Sequence, residues 1–362
     1  MTTASPTTSP TTIPTALDHY RLLGRSGLRV SPLALGTMTF GADWGWGADS
    51  AESRRVFDAY VDRGGNFIDT ANFYTGGTSE RLLGDFVQAK RESLVLATKY
   101  SLFMRAGDPN SGGNARKNMV RSVEASLERL RTDHIDLFYL HVWDDTTPVD
   151  EVMRAMDDLV SAGKIIYVGI SDTPAWQVAR MQTLADLRGW APLIALQIEY
   201  SLIERSADRD LLPMAKALGL GVTPWSPLGG GVLTGKYRKD DSAAAAADGT
   251  RRQLVQQNGA LTDRNFAIAD VVGTIARELD RTPAQVALAW TLLEPGVTAP
   301  ILGVRTLAQL EDNLGALEVV FSDDQRRRLD EVSAVSLGFP HDFMQWGPIR
   351  HNLTGGAKIR PR

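Results

Sequence analysis

Six short apolar runs each end on a residue able to do chemistry: Asp69, Lys99, His141, Ser171, Gln197 and the Trp225–Ser226 pair. A carboxylate, an ammonium and an imidazole gathered at one end of a set of strands can bind a polar substrate and move a proton. Singly, each has a plain explanation. Asp69 followed by Thr70 suits a strand-end turn, Lys99 a solvated strand terminus, and His141 a satisfied core position; Trp225 suits the core. The shared placement is what carries information. Other chemistries are excluded by type. There is no cysteine, so thiolate nucleophiles, disulfides and Cys-based zinc sites are absent. No cluster of His and carboxylate stands at the strand ends, so no metal is expected. The run GGVLTGKY (230–237) falls one residue short of a phosphate-binding P-loop, because Tyr237 stands where Ser or Thr would hold magnesium. No G-x-G-x-x-G follows a strand, so the Rossmann type of dinucleotide site is absent.

The elements that position these residues are legible. The apolar runs 33–40, 66–71, 94–99, 135–141, 165–171, 194–200, 221–227 and 299–304 read as eight buried strands. Most are continuously apolar, as in parallel strands covered by helices. Amphipathic segments separate them: 51–63, 115–130 with Met119, Val123, Leu127 and Leu130 on one face, and 149–161 ending before Gly163. Pro174 and Pro283 each open a further helix. Eight βα units in one chain predict a single-domain α/β fold, the (β/α)8 TIM barrel, with function at the C-terminal strand ends.

The bulk properties agree. The chain has 362 residues, 43% of them hydrophobic and 23% charged, with a net charge of −4. No basic footprint points to nucleic acid, and no apolar run is long enough for a membrane span. No secretory signal opens the chain, and a cytoplasmic location is expected. Residues 1–17 are rich in Thr, Ser and Pro and are expected to be a disordered tail. The barrel is expected over 18–338, with a mobile loop at 240–256 containing DDSAAAAADGT and a C-terminal extension over 339–362.

The stretch NFIDTANFYTGGTSERLLG (66–84) resembles the signature of the aldo-keto reductases. LVLATKYS (94–101), DLFYLHVWD (136–144), VGISD (168–172), LQIEYSLIER (196–205), WSPLGGGVLTGKY (225–237) and GVRTLAQLEDN (303–313) follow in that family's order. The resemblance covers roughly residues 20–335 and is nearest the branch with potassium-channel beta subunits and aryl-alcohol dehydrogenases. It implies a catalytic tetrad of Asp69, Tyr74, Lys99 and His141. The physical logic is that a tyrosine, with a pKa of about 10, holds its proton tightly. A neighbouring ammonium, here Lys99 oriented by Asp69, favours phenolate and lowers that value. His141 would polarise the substrate oxygen. The resemblance also implies NADPH, in preference to NADH. Trp225 would stack on the nicotinamide, and Ser171, Asp172 and Gln197 would hold its carboxamide. Many members have Asn at the position of Asp172, and a carboxylate there can only accept. Gly36, Thr37, Met38 and Asp69 would approach the nicotinamide end. Ser226, Leu228, Gly229 and Gly231 would present backbone amides to the pyrophosphate, beside Lys236, with Pro227 in the same cofactor-binding turn. After the last strand, Gly303, Arg305, Gln309, Asp312 and Asn313 would hold the adenosine end, with Arg305 on the 2′-phosphate.

The expected reaction is reversible reduction of an aldehyde or ketone by NADPH, with Tyr74 giving the proton. Phe40, Trp44, Tyr100, His141 and Trp143 are expected to line the substrate pocket, with Trp46 and Phe103 near it; the DWGWG segment (43–47) suits aryl, alkyl or sugar-like carbonyls. Two alternatives share the fold: an NADPH-binding regulatory or interaction subunit, and a reductase of a nucleotide-linked deoxysugar. His141 favours the enzyme over the regulatory subunit. The expected partner is a small-molecule carbonyl compound, with homo-oligomerisation compatible and neither nucleic acid nor membrane involved.

Overall fold

Eight short parallel strands occur in the order the apolar runs predict: β1 (Ala34–Gly36), β2 (Phe67–Asp69), β3 (Val95–Tyr100), β4 (Ile135–Leu140), β5 (Ile165–Ser171), β6 (Leu193–Glu199), β7 (Gly221–Trp225) and β8 (Ile301–Gly303). The computed structural model describes residues 15–237 and 252–358. Sheet neighbours run β8-β1-β2-β3-β4-β5-β6-β7. The ring closes between β7 and the approach to β8: the Val222 amide donates to the Gly296 carbonyl (3.1 Å), and the Thr298 amide to the Val222 carbonyl (2.7 Å). This is the (β/α)8 barrel.

Strand alternation sorts the side chains into two shells. Phe67, Val95, Ala97, Leu137, Tyr139 and Ala195 pack together inside the barrel. Ile68, Leu96, Phe138, Leu140, Leu196 and Ile198, one residue out of phase, face the helices. Continuing the inward phase by one step reaches Asp69, Lys99, His141 and Gln197. The barrel interior is thus apolar below and polar at the C-terminal end, and one register fixes both.

A two-stranded hairpin, Arg21–Leu22 with Arg29–Val30, plugs the other end. Leu23 and Val30 are fully buried in the interior cluster. Gly24 has φ +56°, and a Cβ there would lie 2.2 Å from the Ile194 carbonyl, so only glycine lets the hairpin come this close. Arg21 Nη1 donates to the Val297 and Thr298 carbonyls (3.3 and 3.2 Å), tying the plug to the closing segment.

The expected tail up to residue 14 and the expected loop up to residue 251 lie outside the described residues. From Arg252 to Gln257 the chain is helical rather than loop. The C-terminal extension, in which no periodicity was legible, forms two short helices, His341–Gln345 and Gly347–Thr354. Among the described residues no helix is long and apolar enough to cross a membrane.

Candidate active site

The polar layer is centred on Lys99. Its ammonium donates to Asp69 Oδ1 (2.6 Å), to the Thr70 carbonyl (2.8 Å) and to the Tyr74 hydroxyl (3.1 Å). An ammonium has three donors, so all three are used. Lys99 is fully buried, and the other oxygen of Asp69 accepts from Gln197 Nε2 (2.9 Å). Burial lowers the Lys99 pKa, but the Asp69 charge and then Tyr74 outweigh it, and the pKa lies above its usual value. Lys99 is therefore an ammonium at physiological pH.

Burial pushes the Tyr74 hydroxyl above its usual pKa, Lys99 pulls it down, and Asp69 adds to the rise. Lys99 thus acts in the expected direction, but burial outweighs it. The Tyr74 and His141 rings meet edge to face at 6.0 Å. Burial, reinforced by the Lys99 charge, pushes His141 down to about 3. The imidazole is neutral and keeps one N–H to donate. Its Nδ1 is buried without a hydrogen-bond partner among the described residues.

Tyr74 is placed by a sharp turn. Thr75, Gly76 and Gly77 have φ of +48°, +61° and +89°. A left-handed Thr is costly. Its hydroxyl compensates locally, donating to the Phe40 carbonyl (3.0 Å) and accepting from the Ser79 amide (3.0 Å). The helix that follows, Thr78–Phe86, is clamped to β3. Fully buried Glu80 accepts from Thr98 Oγ1 and from Arg129 Nε, both at 2.6 Å. Thr98 directly precedes Lys99, so the clamp sets Tyr74 against its ammonium. Glu80 was not singled out above, although a charge spaced with Leu83 and Gly84 on an otherwise apolar stripe is a sequence-level signal.

The second half of the mouth has a different character. Ser171 Oγ is buried and has no hydrogen-bond partner among the described residues. Asp172 has φ +27° and accepts from Trp225 Nε1 (2.9 Å), so it holds the indole that was expected to stack on nicotinamide. Burial raises the Asp172 pKa, and the Trp225 hydrogen bond opposes the rise. A free hydroxyl donor beside a carboxylate acceptor is what a carboxamide, with one acceptor and one donor group, needs. The site therefore fits a nicotinamide. Gln197 does not share in this grip by its Nε2, which Asp69 engages.

Several expected cofactor contacts are placed otherwise. Gly36 is buried where a Cβ would meet Ile301 Cγ2 at 2.6 Å; its smallness serves the β1–β8 contact. Thr37 is fully buried, with its hydroxyl given to the Asp69 carbonyl (3.0 Å); Met38 alone of the three is partly exposed. Pro227 is buried, whereas Ser226 and Leu228 are partly exposed. The amides of Gly229 and Gly231 turn inward, onto the Ser226 (2.8 Å) and Leu228 (2.9 Å) carbonyls. Positive φ at Ser226, Gly229, Gly230 and Gly231 makes this turn tight enough to close on itself. Lys236 lies against Gly231, where a Cβ would come within 2.6 Å of its Nζ.

Beyond β8, Gly303 is exposed and Arg305 partly so. Gln309 Oε1 accepts from the Arg305 amide (2.9 Å), which shapes the turn into the helix Leu307–Leu314. Asp312 faces the helix Pro283–Leu293 instead of the mouth, bound by Thr282 Oγ1 and Gln285 Nε2 (both 3.2 Å), and Asn313 is buried. The i, i+4 spacing of Gln309 and Asn313 is real, but that stripe rolls from solvent into the core.

Two pocket residues are corrected. Tyr100 is fully buried outside the barrel, stacked on Phe138 with its hydroxyl on the Asn114 carbonyl (3.0 Å). Since Lys99 points inward, its neighbour must point outward. Phe40 is fully buried against Phe86. Trp143 packs into the outer core and leaves its indole N–H without a partner among the described residues. Trp44 is partly exposed and touches Trp46 (5.7 Å) and Phe73 (5.8 Å).

Residues 32–334 match the aldo/keto reductase family. The chain is similar to the norsolorinic acid reductase of Aspergillus flavus, 37% identical over 93% of this chain and 88% of that protein. An oxidoreductase of Bacillus subtilis is 39% identical over 86% of this chain and 95% of its own length. An NADP(+) aryl-alcohol dehydrogenase of Phanerodontia chrysosporium is 35% identical over 89% and 88%.

Proposed function

Because the chain belongs to the aldo/keto reductase family and is an oxidoreductase of carbonyl and alcohol groups, we propose that it reduces aryl aldehydes or ketones with NADPH and uses Tyr74 as the proton donor. The observation that carries the reading is the three-way engagement of Lys99 by Asp69, Thr70 and Tyr74. It places a permanent positive charge 3.1 Å from the Tyr74 oxygen. That charge stabilises the phenolate left when the proton goes to the substrate oxygen, and it costs no reorganisation at that moment. Neutral His141 donates to the same oxygen and orients it. Solvent then returns the proton to Tyr74.

The nicotinamide, when bound, supplies the hydride to the carbonyl carbon. Ser171 and Asp172 would hold its carboxamide, Trp225 would support the ring, and Lys236 and Arg305 would meet the phosphates. Preference for NADPH rests on Arg305, a guanidinium at a helix start, and on the NADP(+) in the name of the aryl-alcohol dehydrogenase relative. Aryl substrates follow from the aromatic mouth and from the same relative.

The test is the loss of absorbance at 340 nm with 4-nitrobenzaldehyde, run with NADPH and with NADH. Turnover with a higher kcat/KM for NADPH is expected. Failure of both nicotinamides to bind would remove the reading.

A further inference from the structure

Four aromatic rings form a continuous row at the barrel mouth, in the sequence Trp46, Trp44, Phe73, Phe103. Successive centroids are 5.7, 5.8 and 6.1 Å apart. The rings come from the loops after β1, β2 and β3. None is buried: Phe103 is 56% exposed, and the other three are partly exposed. Apolar faces left open in a contiguous patch mark a binding surface. The row and the proposed proton donor share one loop, since Phe73 directly precedes Tyr74 in the turn after β2. It is also held in place. The Gly41 amide donates to the Ala48 carbonyl (2.9 Å), the Ala48 amide to the Thr39 carbonyl (2.7 Å), and Thr78 Oγ1 to Asp43 Oδ1 (3.0 Å). These bonds close the loop that carries both tryptophans and fasten it to the helix after Tyr74.

From this row we infer that the enzyme selects planar carbonyl compounds of several fused rings over single-ring ones, with Phe73 as the residue that sets the preference. The inference rests on the carbonyl-reduction reading and deepens it. A single aryl ring whose carbonyl lies at Tyr74 reaches Phe73 alone. Each further fused ring reaches the next member of the row, Trp44 on one side or Phe103 on the other. Aromatic contacts add to the gain from area burial, so kcat/KM climbs with ring count.

The experiment compares benzaldehyde, 2-naphthaldehyde and 2-anthraldehyde in the parent chain, in Phe73→Leu and in Phe103→Leu. Leucine keeps apolar bulk and removes the flat face. The parent is expected to gain about tenfold in kcat/KM from one to three rings. Phe73→Leu should lose most of that gain, and Phe103→Leu a smaller part. Equal kcat/KM across the three aldehydes, or an unchanged gradient in Phe73→Leu, overturns the inference. Calorimetric affinities for the matching alcohols decide the case separately from turnover. If no aldehyde is reduced, the proposed reaction falls. Tighter binding of the anthracene alcohol that Phe73→Leu abolishes would still uphold the row as the selecting surface, and equal affinities would refute it.

Discussion

The two halves of the barrel mouth are built differently. Around β2 and β3 the groups that would move the proton are already bonded to one another, Lys99 to Asp69, Thr70 and Tyr74, with Glu80 clamping the turn behind them, while His141 after β4 keeps its Nδ1 without a partner among the described residues. Around β5 to β8 the mouth presents Ser171 Oγ without a hydrogen-bond partner among the described residues, Asp172 braced on Trp225, and a glycine turn that satisfies its own amides. On the proposed reading the first half delivers the proton and the second receives the cofactor. The contrast is physically sensible. A proton donor gains from bonds fixed before the reaction, whereas a cofactor site exchanges its occupant in every cycle, and the open Ser171 hydroxyl suits that exchange.

If the contrast holds, substitutions in the two halves separate chemistry from binding. Lys99→Met should lower kcat by about 10²–10⁴-fold, while NADPH affinity by fluorescence titration changes little. A matching loss of affinity would merge the halves. Glu80→Gln should cost about 3 kcal/mol of stability in urea unfolding, since it leaves Arg129 without its buried partner. A change under 1 kcal/mol would show that the clamp is ornamental. Ser171→Ala should weaken NADPH binding about tenfold and leave the single-turnover rate with saturating cofactor close to that of the parent; an unchanged Kd would place the carboxamide elsewhere.

A different kind of effect is the pH response of His141, read in stability instead of binding or rate. Its folded pKa of about 3 lies below the roughly 6.5 of an unfolded chain. Below that higher value the unfolded state takes up a proton that the folded state refuses. Stability from this group is therefore full above pH 6.5 and falls as the pH drops towards 3, by up to about 1.4 kcal/mol per pH unit. His141→Asn should flatten that part of the urea-midpoint profile, and an unchanged slope would mean the imidazole is already solvated.

The sequence exposed the strands well, because parallel strands buried on both faces are continuously apolar, and β4, β5 and β7 begin where the runs begin. It also exposed Asp69, Lys99, His141 and Gln197, because the inward phase turns polar at one end. The same phase misplaced Tyr100, a neighbour of Lys99 that must face the other way. Phe40 and Asp312 were misassigned because residue type does not say which neighbour a side chain meets. Phe73 was hidden by the tyrosine beside it. The self-closed amides of Gly229 and Gly231 depend on φ values that a glycine permits without announcing.

The central claim is that Tyr74 gives the proton, and Tyr74→Phe tests it most directly. NADPH affinity and the rate of aldehyde reduction are measured in the same preparation. If Tyr74 gives the proton, the rate falls by about 10²–10⁴-fold with NADPH affinity retained. A Tyr74→Phe enzyme that reduces the aldehyde within about threefold of the parent rate would contradict it, since removing a general acid costs far more than that.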